Sequence, residues 1–274
     1  MGGTKPLSRY TTYRIGGPAE VYEIREAAQA EALFTGGEIV LGGGSNVLAA
    51  DAGTDRRVLI NRLSGIVING NRVYAGSGTF LPKLAAVCAD AGFSGLEWAG
   101  GIPGTVGGAV CINAGAFGGA IADVLLYADV LEDGKQRRYG AADCRFSYRR
   151  SRFTDQNTYI TGACFLLKHG DPDAIAALGR AYQARRRLTQ PVGRSAGSVF
   201  KAADRPAGWY IDRAGLKGLS VGGAVISDKH ANFILNTGGA AAGDVLALMR
   251  RIEETVFQKF HVMLEREIRL IGEF

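Results

Sequence analysis

From Trp98 to Ala122 the chain carries no charged residue, and eight of those 25 positions are glycine. An uncharged run of that length is long enough to be a membrane-spanning helix. Eight glycines together with Pro103 and Asn113 argue against one, because they would ruin a helix facing lipid. The stretch instead predicts a buried, glycine-lined turn over Gly100–Gly119, where backbone amides come close to something flat or anionic. A tightly packed core loop would need glycine for a related reason. Twenty residues with almost no bulky side chain favour a cofactor over loop economy alone.

The 274 residues are enough for two domains or one large one. Forty glycines are about twice the usual share of ~7%. The N-terminus, MGGTKPLSRYTTYRIGG, has no apolar core segment, so no signal peptide is expected and the expected location is cytoplasmic. Cys88, Cys111, Cys144 and Cys164 form no C-x-x-C pair and are expected to be buried free thiols. His169, His230 and His261 are scattered, and no metal site is expected. The net charge is +6, with arginines gathered at Arg145–Arg152 and Arg185–Arg187. No nucleic-acid module and no aromatic-interleaved basic stripe is visible, so a small phosphate-bearing substrate and an anionic cofactor are the better match. A solvated basic face remains the alternative for either cluster.

Periodicity predicts a strand at Ala19–Ile24, a helix over Arg25–Thr35 and a short buried strand at Glu38–Leu41. That strand runs into Gly42-Gly43-Gly44-Ser45-Asn46, a strand–glycine loop suited to holding a diphosphate on backbone amides. It is neither the Rossmann fingerprint, since Val47 stands where a third glycine is needed, nor a Walker loop, since no Gly-Lys-Ser/Thr follows. Short strands are expected at Val58–Ile60, Gly65–Ile68 and Arg72–Ala75, then a helix at Leu81–Ala91 capped by Thr79. A hairpin around Asp133-Gly134 and an apolar strand at Thr158–Lys168 follow. Composition then shifts, with helices at Pro172–Leu188 and Gly208–Ala214 and a strand-rich segment at Val221–Asn236. An amphipathic helix over Gly243–Phe260 carries Val245, Leu248, Met249, Ile252, Val256 and Phe260 on one face. A closing strand at Leu264–Ile271 turns Leu264, Ile268 and Leu270 one way and Glu265, Glu267 and Arg269 the other.

Ser198-Val-Phe-Lys201 matches the S-x-x-K pattern of acyl-enzyme nucleophiles, but its companion motifs are missing: Lys229 follows Ser227-Asp228, and no Lys-Thr-Gly exists. A turn serine is the plain alternative. Arg149 and Glu267, taken alone, fit a solvated arginine and a surface carboxylate. Nothing in spacing brings Ser198, Arg149 and Glu267 together.

Seven segments change that. TTYRIGG (11–17), LGGGSNVL (41–48), GLEWAGGIPGTVGGAVCINAGAFG (95–118), YRRSRF (148–153), AGSVFK (196–201), DKHANFILN (228–236) and LEREIRLIGE (264–273) occur in order along nearly the whole chain. Together they resemble the flavin-dependent UDP-N-acetylenolpyruvoylglucosamine reductases of peptidoglycan synthesis, in the short form that lacks an extra loop bearing a substrate-contacting tyrosine. The resemblance implies an α+β chain: an FAD-binding fold of the vanillyl-alcohol-oxidase (PCMH) type over 1–168, in two subdomains of about 1–60 and 61–168, then a smaller α+β substrate-binding domain over 169–262. The final strand, 263–274, would return to the flavin region. Non-covalent FAD is implied as cofactor and NADPH as co-substrate, reducing UDP-N-acetylglucosamine enolpyruvate to UDP-N-acetylmuramate. Gly42, Gly43, Gly44, Ser45 and Asn46 would hold the FAD diphosphate. Gly101, Pro103, Gly104, Thr105, Gly107 and Gly108, with Asn113 and Gly115, would line the isoalloxazine and ribityl part, and Arg14 would lie nearby. Ser198 would be the proton donor, with Arg149 and Glu267 as the stabilising pair; Tyr148, Lys201 and Arg186 would bind substrate. Thr189 stands where the family often has lysine; if that lysine meets the substrate phosphate, either a neighbour among Arg185–Arg187 replaces it or the diphosphate contact is weaker. The expected partner is a small UDP-sugar, with no nucleic acid, no membrane and a monomeric chain.

Overall fold

A computed structural model describes residues 2–155 and 157–274. Contacts divide them into two compact units: residues 2, 21–43 and 56–186 form the first, and residues 3–20, 44–55 and 187–274 the second. Composition along the chain does not express this division, because the chain passes between the units several times.

The first unit holds a parallel arrangement in which Val58–Asn61 lies between Pro18–Ile24 and Ile39–Leu41. All four residues of the central strand are buried, as expected for a parallel strand covered on both faces. Helix α1 (Ala27–Leu33) links the first strand to the third, with Glu26 and Gln29 forming a capping box at its start. Ile24, Ala30, Phe34, Leu59, Leu63, Leu131 and Tyr159 make a small core beneath it. A five-stranded antiparallel sheet follows, in the order Lys135–Gly140, Leu125–Glu132, Thr158–Leu166, Arg72–Gly76 and Ile66–Asn69. Its larger core joins Val73, Ala75, Ala128, Val130, Ala163 and Phe165 to helix α2 (Leu81–Asp90) and helix α3 (Val106–Cys111).

The predicted elements mostly form where expected, with two corrections. Phe80, not Thr79, stands at the N-cap of α2. The Thr79 hydroxyl turns instead to the Gly65 carbonyl, at 3.3 Å, which closes the neighbouring turn. The last strand is confined to Arg269–Ile271; Ile271 within it is buried, as are Leu264 and Ile268 before it, whereas Leu270 is 38% exposed. Strict alternation fails because only those three residues pair, with Val47–Ala49 in parallel register.

The second unit is built on an antiparallel sheet of Ser220–Val221, Ala224–Ile226 and Ile234–Asn236, packed against α5 (Ala207–Arg213) and α6 (Ala242–Phe260); helix α4 (Pro172–Thr189) precedes both in the chain. Val245, Leu248, Met249, Ile252 and Val256 of α6 are fully buried, on the predicted face. The Asp51 carboxylate accepts the Ala242 amide at the start of α6, at 2.8 Å, satisfying a donor that the helix leaves unpaired. None of the four cysteines is in a disulfide; three are buried and Cys111 is half-buried.

Glu38, just before Ile39–Leu41, fixes the approach to the first glycine loop. It is 7% exposed, accepts from the Thr35 amide at 2.8 Å and the Thr35 hydroxyl at 2.9 Å, and pairs with Arg57. Burial raises its proton affinity, but the Thr35 hydrogen bonds and the Arg57 charge outweigh that and hold the carboxyl below its ordinary value. A carboxylate depressed in this way contributes stability above its unfolded pKa and loses it as pH falls through the folded one. Glu38→Gln should therefore cost about 1–3 kcal/mol at neutral pH, with the gap to the parent closing in acid. Urea melts at both pH values check this; a gap that does not depend on pH contradicts it.

Candidate functional site

In the first unit, the two glycine segments meet. A Cβ on Gly42 would lie 2.3 Å from Thr105 Oγ1, and one on Gly43 would lie 3.0 Å from Gly104 Cα. Thr105 Oγ1 is buried and has no hydrogen-bond partner among the described residues. Bare backbone faces bare backbone here, with one unsatisfied hydroxyl, and that arrangement fits a dinucleotide held on main-chain amides.

Packing accounts for other glycines of the run. A Cβ on Gly101 would strike Arg186 Cδ at 2.6 Å, one on Gly107 would strike Ser77 Cβ at 2.9 Å, and one on Gly119 would meet the Trp98 ring at 2.4 Å. A Cβ on Gly115 would sit 2.7 Å from the Gly119 carbonyl, whereas Gly108 has only ordinary contacts. Pro103 precedes Gly104, whose φ of +130° suits glycine. Phe117 stacks flat on Tyr182 of α4, with ring centroids 4.6 Å apart, and the Arg185 guanidinium lies 5.7 Å from the Phe117 ring.

Arg149 sits at the tip of a tight turn whose ends, Ser147 and Arg150, exchange both backbone hydrogen bonds, at 3.0 and 3.2 Å. Its φ of +55° is left-handed, a conformation a long side chain rarely adopts. Its Nη1 donates to the Gly115 carbonyl at 3.0 Å. Asn113 holds the same turn: its Nδ2 donates to the Ser147 carbonyl at 3.0 Å, while its Oδ1 accepts the Ala122 amide at 3.0 Å. Asn113, expected beside the flavin, thus has a second task that spacing does not reveal. Burial first, and then the charge of Arg149, lower the proton affinity of Arg186. Arg186 has no ion pair among the described residues. Tyr148, next to Arg149, is 61% exposed.

In the second unit, Gly44 and Asn46 belong to a different web. Gly44 has φ +63°, and a Cβ there would lie 2.0 Å from the Tyr10 carbonyl. Ser45 is half-buried. Asn46 Nδ2 donates to the Glu267 carbonyl at 3.2 Å, and the Arg269 amide donates to the Asn46 carbonyl at 3.0 Å. The Glu267 amide donates in turn to the Val199 carbonyl at 2.8 Å, and the Lys201 amide to the Glu265 carbonyl at 2.8 Å. Ser198 and Glu267, far apart in sequence, are therefore carried on two paired segments. Arg266, between Glu265 and Glu267, is held by a two-pronged ion pair with Glu253, at 2.5 and 2.7 Å. The Ser198 hydroxyl is bonded to no base among the described residues, so the acyl-enzyme pattern has no activating partner. Lys201 is paired with Glu265 at 2.5 Å. Arg14 is exposed, left-handed at φ +58°, and donates to the Arg9 carbonyl at 3.3 Å.

A glycine-lined cradle lies in the first unit, and a serine and a carboxylate ride on joined segments in the second; the FAD-binding family model and the reductases it resembles make the chain a flavin-dependent oxidoreductase. A family model described as an FAD binding domain matches residues 18–140, and one described as the C-terminal domain of UDP-N-acetylenolpyruvoylglucosamine reductase matches residues 188–271. The chain is 42% identical to the UDP-N-acetylenolpyruvoylglucosamine reductase of Synechococcus sp. (strain JA-3-3Ab), over 98% of this chain and 90% of that one. It is 43% identical, with the same coverage, to the enzyme of that name from Caldicellulosiruptor bescii. The crystal structure of UDP-N-acetylenolpyruvylglucosamine reductase from Thermus caldophilus superposes with a TM-score of 0.90 at 37% identity, covering 99% of both chains. The chain belongs to the UDP-N-acetylenolpyruvoylglucosamine reductase family.

The close approach of Gly44 to Tyr10 gives a direct prediction. Gly44→Ala adds a Cβ against main chain, where no rotamer change relieves it, and forces a left-handed alanine. The variant should retain at most about a tenth of the parent's flavin, a loss of ~1.4 kcal/mol or more in binding, read as absorbance per mole of protein. Parental flavin content would show that the loop tolerates the displacement.

Proposed function

We propose that the chain reduces the enolpyruvyl ether of UDP-N-acetylglucosamine to UDP-N-acetylmuramate, drawing hydride from NADPH by way of FAD, as a cytoplasmic step in making the peptidoglycan precursor. The shared name of the relatives supports the reaction. The observation that carries the site assignment is the bond from the Glu267 amide to the Val199 carbonyl, which sets two of the three expected catalytic positions on adjoining segments. No helix among the described residues is long and apolar enough to cross a membrane, which suits a soluble nucleotide-sugar substrate. Within this proposal, residues 1–168 chiefly serve the flavin, 169–262 the substrate, and 263–274 return to the first glycine loop.

Gly42–Asn46, with Gly101–Gly108 and the Asn113–Gly115 segment, would hold the dinucleotide. Bound FAD supplies the hydride relay from NADPH to the alkene. Once the terminal alkene carbon has gained hydride, the substrate carries enolate charge beside its carboxylate. A guanidinium keeps its charge at any physiological pH, so Arg149 would stabilise that charge, with Glu267 completing the pair and Arg186 and Tyr148 meeting the anionic substrate. The Ser198 hydroxyl would hold the proton that ends up on the carbon. Serine is a poor acid, but an enolate is a strong enough base to take its proton. Lys201, tethered by Glu265, stands three residues further on, where it can meet a phosphate.

The purified protein should be yellow and release FAD on heating; a colourless protein that FAD does not reconstitute overturns the proposal. Stopped-flow separates the half-reactions. Ser198→Ala should leave reduction of the flavin by NADPH intact and slow the second half-reaction by ~10²–10⁴-fold. Arg149→Lys, which keeps the charge but loses the planar fork, should slow the same half by ~10²-fold. Both variants turning over at the parental rate would remove these roles.

A further inference from the structure

Asn232 is 5% exposed and stands in the DKHANFILN segment, to which no task has been given. Its side-chain amide docks on Phe200 as a strand partner would. Oδ1 accepts the Phe200 amide at 3.0 Å, and Nδ2 donates to the Phe200 carbonyl at 2.8 Å. Its own carbonyl accepts the Val199 amide at 2.9 Å. From the other side, the Val199 carbonyl accepts the Glu267 amide, and the Lys201 amide donates to the Glu265 carbonyl, each at 2.8 Å. Every backbone polar group of Val199 and Phe200 is thus engaged, by Asn232 on one edge and by the Glu265–Glu267 segment on the other. Both side chains are buried, at 0% and 1% exposure. Ser198 is the next residue back, half-buried, and joined through Gly197 at φ +75° to the buried Ala196.

Asn232 is itself held. Its amide donates to His230 Nδ1 at 3.3 Å. Burial chiefly, with the Lys217 charge adding to it against a backbone hydrogen bond, lowers the His230 pKa, which favours the neutral ring whose Nδ1 can accept. Only a carboxamide offers one donor and one acceptor at the spacing of a peptide group. Serine is too short to reach both atoms, and aspartate turns a second oxygen towards the Phe200 carbonyl.

We propose that Asn232 is a positioning residue for Ser198: by clamping Val199 and Phe200 against the Glu265–Glu267 segment, it fixes the direction in which the Ser198 hydroxyl leaves the chain relative to Glu267. This rests on the proposed role of Ser198 as proton donor. Misplacing a reacting group by about 1 Å can cost ~10²-fold in rate, so a clamp on the adjoining backbone has a kinetic consequence even though Asn232 touches no reacting atom.

The test uses flavin-loaded protein carrying Asn232→Asp, Asn232→Ser, Ser198→Ala, or Ser198→Ala combined with Asn232→Asp, with the two half-reactions followed separately. Both Asn232 variants should keep their flavin and reduce it with NADPH within about two-fold of the parent. Both should slow the second half-reaction by ~10–100-fold. In the Ser198→Ala background, Asn232→Asp should add no further slowing, because the group it aims is gone. Four results would overturn the inference: slowing that adds fully in the double variant, both half-reactions slowed alike, flavin lost from both Asn232 variants, or a second half-reaction that neither variant disturbs. A Ser198→Ala protein with parental rates in both halves would instead bring down the assignment of Ser198 itself, and the inference with it.

Discussion

The pairing of Arg269–Ile271 with Val47–Ala49 is the constraint that holds the Glu265–Glu267 segment of the second unit in place. Three residues per strand make a weak ladder by themselves. It is reinforced at its entrance by Asn46, whose carbonyl and side-chain amide both engage the incoming chain at Arg269 and Glu267. The same incoming segment turns its other edge to Val199 and Lys201. Glu253 grips Arg266 between them. A segment bonded on both edges and anchored by an ion pair cannot slide by a residue without breaking most of these bonds at once, and a one-residue slip would turn Glu267 to the opposite face. Register here is therefore fixed by several bonds acting together rather than by the ladder alone.

Much of the fold was legible in the residues. The apolar run at Val58–Ile60 and the period-3.6 pattern of α6 both express burial directly, and burial is what hydrophobic patterning encodes. The misplacements have particular causes. Thr79 has the right chemistry for a cap, but a hydroxyl can bond any nearby carbonyl, and the Gly65 turn claimed it. Leu270 was placed inside by alternation, yet the strand is too short for alternation to govern its flanks.

The candidate site was legible only through resemblance to a family. Composition marked Gly100–Gly119 as unusual but could not separate glycines that make room for a ligand from those that make room for the protein. Gly107 against Ser77 and Gly119 against Trp98 are of the second kind. Asn232, and the structural task of Asn113, escaped notice for a related reason. Each spends its amide on distant main chain, at Ser147 and Phe200, and no local spacing rule registers such a bond. Arg149 is similar: its left-handed backbone, a strained setting for a long side chain, exists because a tight turn and the Gly115 carbonyl jointly demand it.

The interleaving of the two units has a consequence for how the chain must be made. Among the described residues, Val47–Ala49 pairs with Arg269–Ile271 alone, which lies near the far end of the sequence. During synthesis the early segment must wait, with its edge bare, until nearly all the rest has emerged. Pairings of such long range form slowly, and an exposed edge invites association with other chains in the interval. Chaperone demand and aggregation on overexpression should therefore be governed by one three-residue ladder, and a truncated chain that lacks it would leave the first glycine loop without its anchor.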